Sequence, residues 1–133
     1  MAYELDPTPP SLADYLALRA GSGLSPKSEA QARGALANSW AFCHVRDDAG
    51  HTVAMGRVIG DGGWYFHIAD MATLPAHQRR GLGRRVLDHL IARIDEVAPP
   101  GAFITLLADP PGQPLYRAAG FVASPSLGME RRR

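Results

Sequence analysis

A chain of 133 residues, 46% hydrophobic and 20% charged, has the size and composition of one globular domain with a real core, which excludes the disordered and fibrous classes. Its formal charge of +1 gives no global attraction to nucleic acid or to a membrane surface. Cys43 is the only cysteine, so an intrachain disulfide and a Cys-rich zinc site are both excluded.

Basic character is local and almost wholly arginine: Lys27 is the only lysine, and arginines cluster at Arg79–Arg85 and Arg131–Arg133. Cys43 falls in the apolar run Trp40–Val45 and reads as a buried, inert thiol. With no signal peptide and no run of about eighteen apolar residues, the expected location is the cytoplasm.

In chain order, Tyr3–Asp6 reads as a short edge strand stopped by Pro7, Pro9 and Pro10. Ser11 caps a helix carrying Leu12, Tyr15, Leu16 and Arg19, and Ala20–Ser25 breaks it. Ser25 is expected to cap a second helix, with Pro26 at its first position, running to about Asn38. Trp40–Arg46 and His51–Ile59 read as strands around an Asp47–Gly50 turn. A second turn, Asp61-Gly62-Gly63, leads to a long third strand, Trp64–Leu74.

Gly81 to Val97 is the clearest helix, with Leu82, Val86, Leu90 and Ile94 in one row. Pro99 and Pro100 end it. Ala102–Ala108, apolar except for Thr105, is a buried strand lying parallel to Trp64–Leu74 through a right-handed crossover. After the loop Asp109–Gly112, Pro114–Ala119 is a short helix ended by Gly120. Phe121–Ala123 and Gly128–Glu130 are expected to give a final broken strand. The order ααβββαβαβ predicts a mixed α/β sheet in one domain, residues 1–133.

Asp70–Val86 concentrates the chemistry. It passes from an apolar strand through Pro75 into a basic turn with Gly81 and Gly83, and then opens a helix. Unpartnered N–H groups and the helix dipole make such a start an anion site. A Walker loop is excluded because no Gly-Lys-Ser/Thr ending follows. A Rossmann fingerprint needs a third glycine where Val86 stands, and the preceding meander is the wrong topology.

The segment Gln78-Arg79-Arg80-Gly81-Leu82-Gly83 instead resembles the Gln/Arg-x-x-Gly-x-Gly/Ala signature of the GNAT acetyltransferase superfamily. Asp70–Pro75 resembles the strand that enters that motif, and Leu115-Tyr116-Arg117-Ala118-Ala119-Gly120-Phe121 resembles the family's Leu-Tyr-x-x-x-Gly-Phe signature. The likeness covers Trp64–Phe121 in order and spacing.

The resemblance implies a GNAT-like fold: an antiparallel meander, a splayed parallel strand pair and helices on both faces. It implies acetyl-CoA as cosubstrate. Arg79, Arg80, Gly81, Leu82, Gly83 and Arg84 would hold the pyrophosphate through backbone N–H groups, with charge-assisted help from guanidinium groups. Met71, Ala72 and Thr73 would pair with the pantetheine arm and polarise the thioester carbonyl. Tyr116 matches the tyrosine that protonates the departing thiolate. Asp109 stands where many members carry asparagine near the pantetheine.

For the base, His67 lies four residues before Met71, where several members carry glutamate, and imidazole has a suitable pKa of about 6.5. Asp70 is the other candidate. Simple alternation puts the two on opposite faces, and a β-bulge of the kind this family often has there would bring them together. Asp61, Trp64, Glu29, Trp40 and Tyr15 supply acidic and aromatic groups for a cationic amine.

The expected reaction is acetyl transfer to a primary amine of a small molecule, by direct attack in a ternary complex. A protein or peptide amine, or a non-catalytic acetyl-CoA sensor, are the alternatives. His77 and His89 fit no ligand spacing with His67, so no metal site is expected. The first two helices do not suit a helix-turn-helix, because their six-residue connection is long and Lys27 and Arg33 face Glu29. The sequence does not fix an oligomeric state; the apolar segment Phe121–Met129, if an exposed edge, offers a way for two copies to pair as a homodimer.

Overall fold

Four runs carrying β-branched and aromatic residues, with the short segment Glu4–Asp6 at one edge, pair into one sheet in the computed structural model, which describes residues 2–133. The strands are β1 (Glu4–Asp6), β2 (Ala41–Arg46), β3 (Thr52–Gly60), β4 (Tyr65–Thr73) and β5 (Phe103–Leu106), and they lie in sequence order across the sheet. The first four pair antiparallel, and β5 is parallel to β4, as the crossover through a helix requires.

Two apolar layers enclose this sheet. On one face α1 (Leu12–Gly21) and α2 (Glu29–Asn38) bury Tyr15, Leu18 and Ala32 against Phe42, Met55 and Ala72. On the other, α3 (Leu82–Val97) buries Leu82, Val86, Leu87, Leu90 and Ile94 against Cys43, Val45, Val58, Phe66 and Ile68. Each such side chain contributes about 2 kcal/mol by leaving water. Burial pushes the Cys43 thiol up to about 12, so it is an inert core residue. The short α4 (Gln113–Ala118) packs Leu115 and Tyr116 on the α3 side.

The structure corrects three expected boundaries. Helix α2 starts at Glu29, because Ser28 rather than Ser25 caps it: the Ser28 hydroxyl accepts from the Gln31 N–H, and the Gln31 side chain accepts from the Ser28 N–H. Strand β5 is four residues long, shorter than Ala102–Ala108. Finally, no strand forms after Gly120 among the described residues. Gly120 turns the chain in a left-handed conformation (φ 95°), Pro125 lacks an N–H, and Val122, Leu127 and Met129 are left exposed.

Candidate active site

The parallel pair parts early. Its pairing runs from Tyr65 opposite Phe103 to Ile68 opposite Leu106 and stops, so the last five residues of β4, Ala69–Thr73, have no β5 partner. That opening begins at an irregularity in β4. Against β3, Met55 pairs with Ala72 and Arg57 with Ala69, leaving Asp70 and Met71 opposite the single residue Gly56. This is a β-bulge, and Asp70 takes a left-handed conformation in it (φ 54°). Gly56 is required here, since a Cβ would lie 2.6 Å from Met71 Sδ and 2.7 Å from Val86 Cγ1.

Beyond β4 the chain makes a 3₁₀ turn, Pro75–His77, and then alternates its handedness. Arg79 (φ 61°) and Gly81 (φ 77°) are both left-handed, and Gly81 is the N-cap of α3 with no side chain capping that end. The first-turn N–H groups of α3 therefore look outward, as an anion cradle needs. The Gln78 amide braces the turn by donating to the Thr73 carbonyl at 3.1 Å. Arg80 donates to the Tyr3 hydroxyl at 3.2 Å, Arg85 to the Tyr3 carbonyl at 3.2 Å, and Arg84 pairs with Asp88 at 2.9 Å.

Tyr116 borders this cradle, because Leu115 beside it packs on the α3 start: a Cβ on Gly83 would lie 3.2 Å from Leu115 Cδ2. The Tyr116 ring meets Phe121 edge-on at 6.2 Å. Burial, and then the charge of the exposed Asp109, raise its phenol above the ordinary value near 10. It is protonated at neutral pH and able to donate.

On the opposite face lies His67, half-buried, with Nδ1 2.8 Å from the Thr105 hydroxyl across the parallel pair. Burial and then the Arg57 charge lower its pKa, so the imidazole is neutral at pH 7. The bulge does bring Asp70 to this face, as Tyr15 of α1 and Arg57 of β3 both donate to it. Asp70 is not open, however. Its carboxylate takes hydrogen bonds from Tyr15, Arg19 and Arg57, the last at 2.7 Å, and its side chain is 7% exposed. Burial alone would raise its pKa, but the hydrogen bonds from Tyr15 and Arg57 and the charges of Arg57 and Arg19 hold it below the usual carboxylate range. It is a weak base.

The five residues expected around the acceptor separate, and Tyr15, 2% exposed, is taken up by its hydrogen bond to Asp70. Trp64 is 57% exposed and stacks against Tyr65 at 5.4 Å, and Tyr65 meets Phe103 at 5.2 Å, which gives an aromatic strip beside His67. Asp61 stands at the same end, where its Oδ1 accepts from the N–H groups of Gly63, Trp64 and Tyr65 at 2.7, 3.0 and 3.2 Å; these bonds lower its pKa. Glu29 is exposed at the α2 start and pairs with Arg33 at 3.6 Å. Trp40 lies on the α3 face, packed on Phe66 at 4.9 Å with the Arg93 guanidinium 6.0 Å from its ring. Sequence reasoning missed Arg57 and the partnership of Thr105 with His67. The available signal was that each is the polar interruption of an apolar strand.

The sequence profile of the acetyltransferase (GNAT) domain matches residues 24–132. The chain is 33% identical over 106 residues to serotonin N-acetyltransferase 2, chloroplastic, of Oryza sativa subsp. japonica. That match takes in 77% of this chain and 52% of the plant protein, so the chain spans about half of that relative's length. A protein of unknown function from meticillin-resistant Staphylococcus aureus, assigned as an acetyltransferase, superposes with a TM-score of 0.94 at 33% identity, over 99% of this chain and 100% of that one. A GNAT-family acetyltransferase from Streptococcus pneumoniae TIGR4 shares the fold at 20% identity, with a TM-score of 0.78 over 98% and 100% of the two chains. No helix among the described residues is long and apolar enough to cross a membrane. The splayed strand pair, the outward-facing start of α3 and a profile match over most of the sequence agree: the chain belongs to the GNAT acetyltransferase family, whose members use acetyl-CoA as cosubstrate.

Proposed function

We propose that this protein transfers an acetyl group from acetyl-CoA to the primary amine of a small arylalkylamine. The observation that carries the reading is the gap between β4 and β5, which opens past Ile68 and has His67 on one side of the sheet and Tyr116 on the other. The unpaired edge of Met71, Ala72 and Thr73 suits an extended amide-bearing arm. The outward N–H groups of Arg79 to Arg84 suit a pyrophosphate.

In this reading His67 takes one proton from the incoming ammonium, and the lone pair so freed bonds to the thioester carbonyl carbon. As the carbonyl re-forms, the carbon–sulfur bond breaks, Tyr116 donates its proton to the departing sulfur, and the second proton on the attacking nitrogen returns by way of solvent to the Tyr116 phenolate, leaving a neutral amide and a thiol. Thr105 holds the imidazole ring through Nδ1, which leaves Nε2 as the nitrogen to take the proton in this reading. Trp64, Tyr65 and Phe103 offer apolar and cation–π surface to an arylalkyl group, while the Asp61 carboxylate draws the ammonium to the mouth. The serotonin-acetylating relative points the same way.

A screen that follows CoA release across arylalkylamines, polyamines, amino sugars, amino acids and peptides is expected to give the highest kcat/KM with arylalkylamines. Turnover confined to peptides would sink the small-amine reading. The cradle has its own check. Gly81→Val places a β-branched residue at φ 77° and costs about 1–2 kcal/mol of backbone strain, so the KM for acetyl-CoA rises by roughly tenfold while the amine KM is little changed.

A further inference from the structure

Asp70 holds an unusual position for a carboxylate: buried in an apolar strand, left-handed, and engaged by donors from two other elements. Tyr15 and Arg19 reach it from α1 and Arg57 reaches it from β3. Each arginine has a second attachment. Arg19 donates through Nε and Nη2 to the Ser25 carbonyl at 3.0 and 2.7 Å, which pins the connection between α1 and α2. Arg57 donates through Nη1 to the hydroxyl of Ser39, the C-cap of α2, at 3.2 Å. One carboxylate thus gathers α1, the connection that follows it, the C-terminal end of α2 and β3 onto the single residue at which β4 leaves its regular course.

We infer that Asp70 is a positioning residue for acetyl transfer: its clamp holds the β4 bulge open, and so sets both the free edge Met71–Thr73 and the Arg57 guanidinium beside His67. This rests on the acetyl-transfer reading above. A left-handed aspartate is disfavoured on its own and persists because the surroundings over-determine it. Releasing it frees the bulge to shift and to change shape, and the edge that follows moves with it. Two arginines share one carboxylate, so its charge is also what tempers Arg57 as a neighbour of His67. The charged and titratable groups around His67 and Asp70 are Arg57 from β3, Asp70 and Tyr65 from β4, and Tyr15 and Arg19 from α1, with the neutral Thr105 from β5; His44 of β2 lies further along the same face, held by the Thr8 carbonyl and Arg46.

The test uses two measurements on the full chain that need no acceptor: calorimetric titration with acetyl-CoA, and the NMR titration of the His67 imidazole. Asp70→Asn keeps the side-chain shape and tolerates the left-handed backbone, but removes the charge. It is expected to weaken acetyl-CoA binding about tenfold and to move the His67 midpoint to lower pH, because Arg57 is then uncompensated. Arg57→Gln is expected to move that midpoint to higher pH. Tyr15→Phe removes one hydrogen bond, leaves both ion pairs, and is expected to weaken binding about threefold with His67 little moved; it serves where Asp70→Asn does not fold. Wild-type affinity in Asp70→Asn or Tyr15→Phe, with an unmoved His67 midpoint in Arg57→Gln, would overturn the inference. Failure to acetylate any amine, with these shifts present, overturns the transfer reading alone.

Discussion

Tyr116→Phe is expected to lower kcat about a hundredfold while leaving the KM for acetyl-CoA within about twofold, which is the lower end of what a positioned general acid contributes. The ring stays in place in the variant, because its packing on Phe121 and on the α3-side core involves no hydroxyl. Only the proton is lost. Burial, followed by the Asp109 charge, raises the phenol pKa, so the donating form is fully populated at neutral pH and no alkaline fall is expected from this group below about pH 10. Steady-state kinetics check both parameters, and an unchanged kcat would remove the assignment. A companion change tests position rather than chemistry. A Cβ on Gly112 would lie 2.9 Å from Tyr116 Cε2, so Gly112→Ala displaces the phenol and is expected to lower kcat with the hydroxyl still present.

His67→Ala is expected to lower kcat/KM by about two orders of magnitude and to abolish the rising limb of its pH profile. Burial, and then the Arg57 charge, put the imidazole below its ordinary value near 6.5. The active form is the neutral one. Activity therefore climbs with pH through a midpoint below 6.5 and levels off above it. The same shift weakens folding as pH falls, since the unfolded chain binds the proton more readily than the folded one. Thr105→Val keeps the shape of the residue opposite but removes the 2.8 Å partner of Nδ1, and is expected to give a smaller loss with the limb retained. A rising limb that survives in His67→Ala would show that another group takes the proton.

What the sequence made legible was short in range. The row Leu82, Val86, Leu90 and Ile94 announces α3, and the two glycines before it announce the cradle, because each signal lies within one helical turn or loop. Helix α2 was misplaced by three residues because Ser25 and Ser28 are both good caps, and only Gln31 decides between them. The final strand was misread because apolar residues can be counted in the sequence, whereas the neighbour they would pair with cannot. The acceptor side was the least legible. Asp70 meets Arg57 13 positions away, Arg19 51 away and Tyr15 55 away, and no local pattern encodes those encounters. Trp40 looked like an acceptor residue by type, yet its place at the head of β2 turns it to the α3 face.

The bulge in β4 also bears on how this opening relates to the fold that carries it. Ile68 faces α3, Ala69 and Asp70 both face α1, and Met71 faces α3 again. Residue 70 is therefore supernumerary: a strand lacking it would keep every other side chain on its present face and pack the same core. Such a shortened chain would regain an unbroken ladder to β3, with nothing to keep β4 off β5, but it would leave the Arg19 and Arg57 guanidiniums without the carboxylate they share. The opening rests on a single inserted position, and the charge on that residue is what makes the insertion tolerable to the fold.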